Sequence, residues 1–230
     1  MTEDRGNSIG LTQDEMISYY PRLYHMAEPD TWASIKRHGL LSTSALLTLF
    51  EIDGRCRAAI ESAHRPNSVN IAHPKYGMAV VRDQLPMRES DLLKCLQGMT
   101  PRDWYRTLNQ RVFFWLTKER LLRLLNARAY RDRKHCVLTI DTKMILERHS
   151  AKISLTPLNS GCTRPRAWPR GASTFRRLHE FPFEERRKRV GKANAIAEVA
   201  VDQRVPDIEE LTIKVQHMKG SRVLETLFKR

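Results

Sequence analysis

Three islands of the chain hold residue types able to do chemistry. The first runs Leu23-Tyr24-His25-Met26, then Trp32-Ala33-Ser34-Ile35, then His38-Gly39-Leu40-Leu41-Ser42-Thr43. It reads as a histidine ending a strand, a helix, and a return through a His-Gly-Leu turn. The second is an aromatic strand, Val112-Phe113-Phe114-Trp115-Leu116-Thr117. The third is Ala197-Glu198-Val199, followed by Val205-Pro206 and Ile213-Lys214-Val215. A carboxylate inside an apolar strand must face solvent, pair with a cation, or serve a site. On an edge strand Glu198 is simply exposed. In a site it stabilises a developing cation or takes a proton from an attacking group. His25 beside Tyr24 is either a half-buried structural histidine or a ligand contact. The aromatic strand packs as core in almost any fold, and in a site its rings stack on a flat ligand. Asp207, Glu209 and Glu210 have no second ligand set, so no metal site is read from them.

These residues need elements to position them. Residues 1–13 read as a loose leader, and 14–230 as a single domain. Asp14–Tyr20 is a short helix stopped at Pro21, and Leu23–Met26 a strand. Asp30 is an N-cap for the helix that ends at Gly39. Residues 40–44 are extended, and a helical turn or two follows to Ile52. The stretch 54–77 is mixed and polar, with turn residues. Met78–Arg82 is a strand and Glu89–Leu96 a helix. Thr100 caps another helix with Pro101 at its first position. Arg111–Thr117 is a buried strand, followed by leucines at helical spacing over Lys118–Leu125. Cys136–Ile140 is a strand, with Asp141 and Thr142 capping a helix to Arg148. Lys152–Leu155 is a strand and 159–172 a basic loop. Ala195–Val201 and finally Leu211–Val215 are strands. Helices and strands do not alternate regularly, so the fold class is α+β.

Charge is the other strong signal. Lys and Arg number 40 against 26 Asp and Glu, a net +14 over 230 residues. Arg102–Lys134 holds ten basic and three acidic residues, and Arg164–Lys192 again ten and three, while the rest balances at 20 against 20. If the two segments face the same way they form one surface that attracts polyphosphate by counterion release. Most of the excess is arginine, suited to bidentate phosphate contacts and base stacking. No apolar run spans a membrane, and the N-terminus has neither a basic nor an apolar signal region. Cysteines 56, 95, 136 and 162 form no CxxC pair. They read as reduced thiols of a cytoplasmic protein. Signatures of P-loop ATPases, dinucleotide-binding dehydrogenases, zincins and serine hydrolases are missing.

In order along the chain, the islands resemble the ADP-ribosyltransferase superfold, and within it the DarT-type enzymes that modify DNA bases. That family opens with a tyrosine–histidine pair before a helix and a Gly-Leu turn. It carries an aromatic-rich central strand and ends with an Ala-Glu-apolar strand, a Val-Pro turn and a final strand. The resemblance spans residues 23–215 in short islands. The basic loop 161–171 and the arginine-rich helix within 117–134 depart from it.

The resemblance implies a split mixed or antiparallel sheet core with flanking helices, NAD+ as substrate and no metal. It makes Glu198 the catalytic carboxylate and lets His25 hydrogen-bond the adenosine ribose. Phe114 or Trp115 would stack on the nicotinamide, with Phe113 pointing the other way from Phe114. Ser42 and Thr43 would hold the nicotinamide end. Arg82 would grip the diphosphate or aid catalysis. Arg164, Arg166, Arg170, Arg176 and Arg177 are assigned to the nucleic acid. A neutralising antitoxin is a possible partner. The alternatives are a non-catalytic nucleic-acid-binding domain, an NAD glycohydrolase, and an RNA 2′-phosphotransferase built on Arg22, Arg37, His38 and Arg82.

Overall fold

The computed structural model describes residues 10–230. Most of the expected leader lies outside these residues. The part inside is docked, not loose: Leu11 is buried and its N–H donates to Leu178 O at 2.9 Å. Thr12 and Glu15 then form a reciprocal capping box that starts helix α1 (Gln13–Tyr19). Pro21 ends it and the chain enters strand β1 (Arg22–Ala27). Helix α2 (Trp32–His38) buries Trp32 and Ile35. Its N-cap is Thr31, not the expected Asp30. Asp30 sits at φ 63° and pairs with Lys134 at 3.2 Å.

Gly39 stops α2 at φ 81°, and a Cβ there would meet Pro206 Cα at 2.7 Å. Only glycine permits both the conformation and the approach. That approach lets β2 (Leu40–Leu41) pair with a strand far along the chain. Helices α3 (Thr43–Leu49) and α4 (Gly54–Glu61) follow, then the hairpin β3 (Val69–His73) and β4 (Gly77–Val81). Next come α5 (Glu89–Cys95), β5 (Leu96–Gln97), and α6 (Pro101–Asn109), which opens with a Thr100–Asp103 capping box. The aromatic strand is β6 (Arg111–Trp115), followed by α7 (Lys118–Leu125), β7 (Lys134–Asp141), α8 (Thr142–His149) and β8 (Ile153–Thr156). A long loop containing β9 (Arg170–Gly171) leads to α9 (Phe183–Val190) and α10 (Lys192–Ala195). The chain ends with β10 (Glu198–Asp202), β11 (Arg204–Val205), α11 (Ile208–Leu211), β12 (Thr212–Lys219) and β13 (Arg222–Lys229).

The fold is mixed α+β. Seven strands form one sheet in the order β13-β12-β7-β1-β6-β10-β8, and every neighbouring pair is antiparallel. Helices flank it. The main core joins Leu23, Phe114, Leu138, Val199 and Val215 of the sheet to Met16 of α1 and Ile145 of α8. A satellite cluster of Leu47, Phe50, Ile60, Ile71 and Val81 ties α3 and α4 to the β3–β4 hairpin. The stretch 54–77 is therefore more ordered than its polar composition suggests. Leu211–Val215 is not the last strand, because Gly220 turns the chain into β13 (φ 53°). Strand β13 is an edge strand with mostly exposed residues, so it carries little hydrophobic alternation. No helix among the described residues is long and apolar enough to cross a membrane.

Candidate active site

The sheet is divided at its centre. Strand β1 pairs with β7 along its whole length, from Arg22↔Asp141 to Ala27↔Cys136, but meets β6 only at Tyr24↔Trp115. Beyond that pair the two strands leave their ladder. His25 fills part of the gap, and its Nδ1 lies 2.8 Å from Phe113 O. A carbonyl can only accept, so Nδ1 carries the proton and Nε2 is left as an acceptor. Part of the ring still faces the cleft, but the imidazole is desolvated. Burial pushes its pKa down to about 4, against the Phe113 hydrogen bond and together with the nearby Arg82 charge. His25 is therefore neutral at neutral pH.

Glu198 stands on the other lip of the split. Strand β10 runs between β6 and β8, so Glu198 pairs with Trp115 on one side and Thr156 on the other. It is not on an exposed edge, and only 4% of its surface is open. Its Oε2 accepts from Ser160 N at 2.9 Å and from Thr156 Oγ1 at 3.4 Å. Glu198 lines the cleft. Burial raises the carboxyl pKa above the ordinary carboxylate value, opposed by the Ser160 and Thr156 hydrogen bonds and by the Arg120 charge.

Both residues open onto one cleft of about 460 Å³, within the usual range for small-molecule sites. Arg82, Ser42, Thr43 and Trp115 line it too. Six of the seven residues that the sequence assigned to catalysis or NAD+ thus reach one cavity. Phe114 does not. It is fully buried in the main core, because alternation along β6 turns Phe113 and Trp115 toward the cleft instead.

Two other assignments change. Ser42 caps α3, with Oγ accepting from Ala45 N at 3.1 Å, so its hydroxyl already serves the fold. Arg82 is not a free cation. Its Nε lies 3.2 Å from Glu28, Nη1 donates to Met26 O at 3.3 Å, and the guanidinium sits 5.3 Å over Tyr130. Tyr130 in turn donates to Asp83 at 2.8 Å, and Arg133 bridges Glu28 and Asp83, each at 3.5 Å. The result is a charge-balanced network on one cleft wall.

The five arginines assigned to the nucleic acid also divide. Arg164, Arg166 and Arg176 are exposed. Arg170 is buried, and its guanidinium donates to Ser160 O at 3.1 Å, Cys162 O at 3.0 Å and Trp168 O at 3.2 Å. Arg177 donates to Ile153 O at 3.0 Å and pairs with Asp202 at 3.3 Å. These two arginines hold the loop, Arg170 buried and Arg177 still part-exposed. Arg170 clamps the segment whose Ser160 N–H holds Glu198. Arg170→Ala should therefore cost about 2 kcal/mol of stability by leaving buried carbonyls unpartnered. A denaturant midpoint unchanged from wild type would contradict this role.

Sequence reasoning did not single out Ser160, Tyr130 or Asp83. Ser160 sits in an Asn-Ser-Gly triplet that reads only as a turn. Tyr130 and Asp83 lie in irregular segments whose meeting depends on the tertiary fold. Arg120 gave no cue either: half-buried on α7, it donates to Asn194 at 3.2 Å. Its charge also reaches Arg186 of the second basic segment. Burial first, then like charge, opposes protonation of Arg120 beside Arg123, and of Arg186 beside Arg189 and Arg120.

A search of curated proteins finds no match to the chain. A family model does match, over residues 21–212, from the strand of His25 past the strand of Glu198. The chain therefore belongs to a family described as a family of unknown function, DUF7002.

Proposed function

We propose that the protein transfers ADP-ribose from NAD+ to a nucleic acid. The observation that carries this reading is the convergence of His25, Trp115 and Glu198 on one cleft at the divided centre of the sheet. Breaking the C1′–nicotinamide bond sends the bonding pair to the leaving nicotinamide and leaves oxocarbenium character on the ribose, as in glycoside cleavage. The Glu198 carboxylate, which lines the cleft, is suited to stabilise that cation and to take the proton that the attacking acceptor loses. The Trp115 face suits stacking on the flat nicotinamide ring. The Nε2 acceptor of neutral His25 suits a ribose hydroxyl. Arg82 supplies positive charge near the diphosphate only within its Glu28 pairing, so this residue tunes the site and does not act as an isolated clamp.

The acceptor class is carried by charge. The two basic segments approach each other at Arg120 and Arg186, beside the strand of Glu198. Incubation with NAD+ is expected to release nicotinamide in the presence of single-stranded DNA or RNA, leaving ADP-ribose on the strand. NAD+ at 100 times its dissociation constant should add about 2.7 kcal/mol of stability, read as a raised melting temperature. Release with water as the only acceptor would make the protein a glycohydrolase. A melting temperature blind to NAD+, with no release, would refute the reading.

A further inference from the structure

Beside the cleft lies a second groove, of about 220 Å³, which the proposed reaction does not use. Pro157 and Leu158 wall it on one side, Arg176 on another, and Arg186 and Arg189 of α9 on a third. The neighbouring Arg177 and Arg187 are neutralised by Asp202 at 3.3 Å and Glu184 at 2.7 Å. Among the described residues Arg176 and Arg189 have no such ion pair, and Arg186 has none either but spends Nε on Ala195 O at 2.7 Å and Nη2 on Pro157 O at 2.8 Å. The carbonyl-held Arg170 and one carboxylate, Glu185, also line the groove, so its walls carry a net charge of about +3.

We propose that this groove binds the sugar–phosphate backbone of the nucleic-acid acceptor, an inference that rests on the reaction proposed above. Guanidinium forks fit phosphate oxygens in pairs, and the proline and leucine surface suits the sugar edge. The positive charge extends too far for one isolated phosphate. It continues from Arg186 to Arg120 and Arg123 of α7. At the other end, the loop carries exposed Arg164 and Arg166, with Arg166 5.2 Å over the half-exposed Trp168 ring. An exposed indole among arginines suits stacking of an unpaired base. The placement also fits the chemistry. The loop that walls the groove at Pro157 and Leu158 holds Glu198 through Ser160, and Arg186 Nη2 donates to Pro157 O at 2.8 Å. A strand lying in the groove thus runs along the outer wall of the cleft.

The test is the salt dependence of binding to a labelled single-stranded oligonucleotide, read by fluorescence anisotropy. Wild type is compared with Arg176→Ala/Arg189→Ala and with a control that removes the same charge outside both basic segments, Arg55→Ala/Arg222→Ala. Each lost phosphate contact should make the slope of log K against log salt shallower by about 0.7, so the groove variant should differ from wild type by about 1.4 and the control by nothing. All the replaced residues are exposed, and Arg189→Glu, expected to weaken binding further, serves as a second variant. Equal slopes in wild type and groove variant would overturn the proposal, as would a wild type that binds no strand. Inorganic phosphate binding as tightly as the strand, with the same loss in the variant, would also overturn it by making this a free-anion site. Nicotinamide release is followed on the same proteins. Strand binding through the groove without any release keeps the groove and refutes the transferase. Release with slopes unmoved by the groove variant keeps the transferase and refutes the groove.

Discussion

Glu198→Gln is expected to lower nicotinamide release at least about 100-fold while leaving the fold at neutral pH as stable as wild type, or more so. The loss follows from charge. The amide keeps the size of the side chain and an oxygen for Ser160 N–H, but it cannot stabilise a cation on the ribose or accept the proton of an attacking group. The stability follows from burial. The folded protein holds Glu198 with its pKa raised, chiefly by desolvation, so ionising it costs more in the native state than in the unfolded chain. Its presence is therefore neutral to stability at acid pH and destabilising once pH has risen through the folded pKa. Gln removes that cost. Release and thermal unfolding measured on the same preparation separate the two effects. Full activity in Glu198→Gln would remove the catalytic assignment, and an unfolded variant would mean that the carboxylate is structural.

Much of this site was legible along the chain, for physical reasons that differ from residue to residue. Glu198 stands out because a charge in Ala-Ile-Ala-Glu-Val-Ala-Val violates the apolar pattern of a buried strand, and the structure places it in an interior strand facing the cleft. The aromatic strand is equally plain, but which ring faces the cleft is set by register. A shift of one residue exchanges Phe114 for Phe113 and Trp115, and that register depends on β10 and β1. Charge is the least legible property. Arg170 and Arg177 look like Arg164 and Arg176 in sequence, yet the first two satisfy buried carbonyls and the others meet solvent. Only the fold decides which arginines are spent on the protein itself. The divided sheet is invisible locally, since β1 and β6 are each ordinary strands and the gap lies between them.

The gap makes His25 the second residue with a large expected effect, read as a change in acid stability. Its pKa falls from an ordinary 6.5 to about 4 in the folded protein, so between these values the unfolded chain binds a proton that the native state refuses. Stability contributed by neutral His25 is present above pH 6.5 and is lost as pH falls toward 4, by roughly 3 kcal/mol. His25→Asn places an amide N–H where Nδ1 donates to Phe113 O but does not titrate. It should lower the melting temperature at neutral pH, through the lost ring volume, and flatten its decline over this interval. His135, also lowered by burial, acts in the same direction but is present in both proteins and cancels in the comparison. The lowered carboxyls Glu61 and Asp207 lose their contributions at more acid pH. Glu198 pulls the other way, because its raised pKa costs stability as pH rises. Glu198→Gln should therefore steepen the acid decline that His25→Asn flattens, and the double variant should fall between them. Parallel melting curves for wild type and His25→Asn across this range would show that the imidazole is solvated, and would remove the basis for treating His25 and Glu198 as the two desolvated lips of one site.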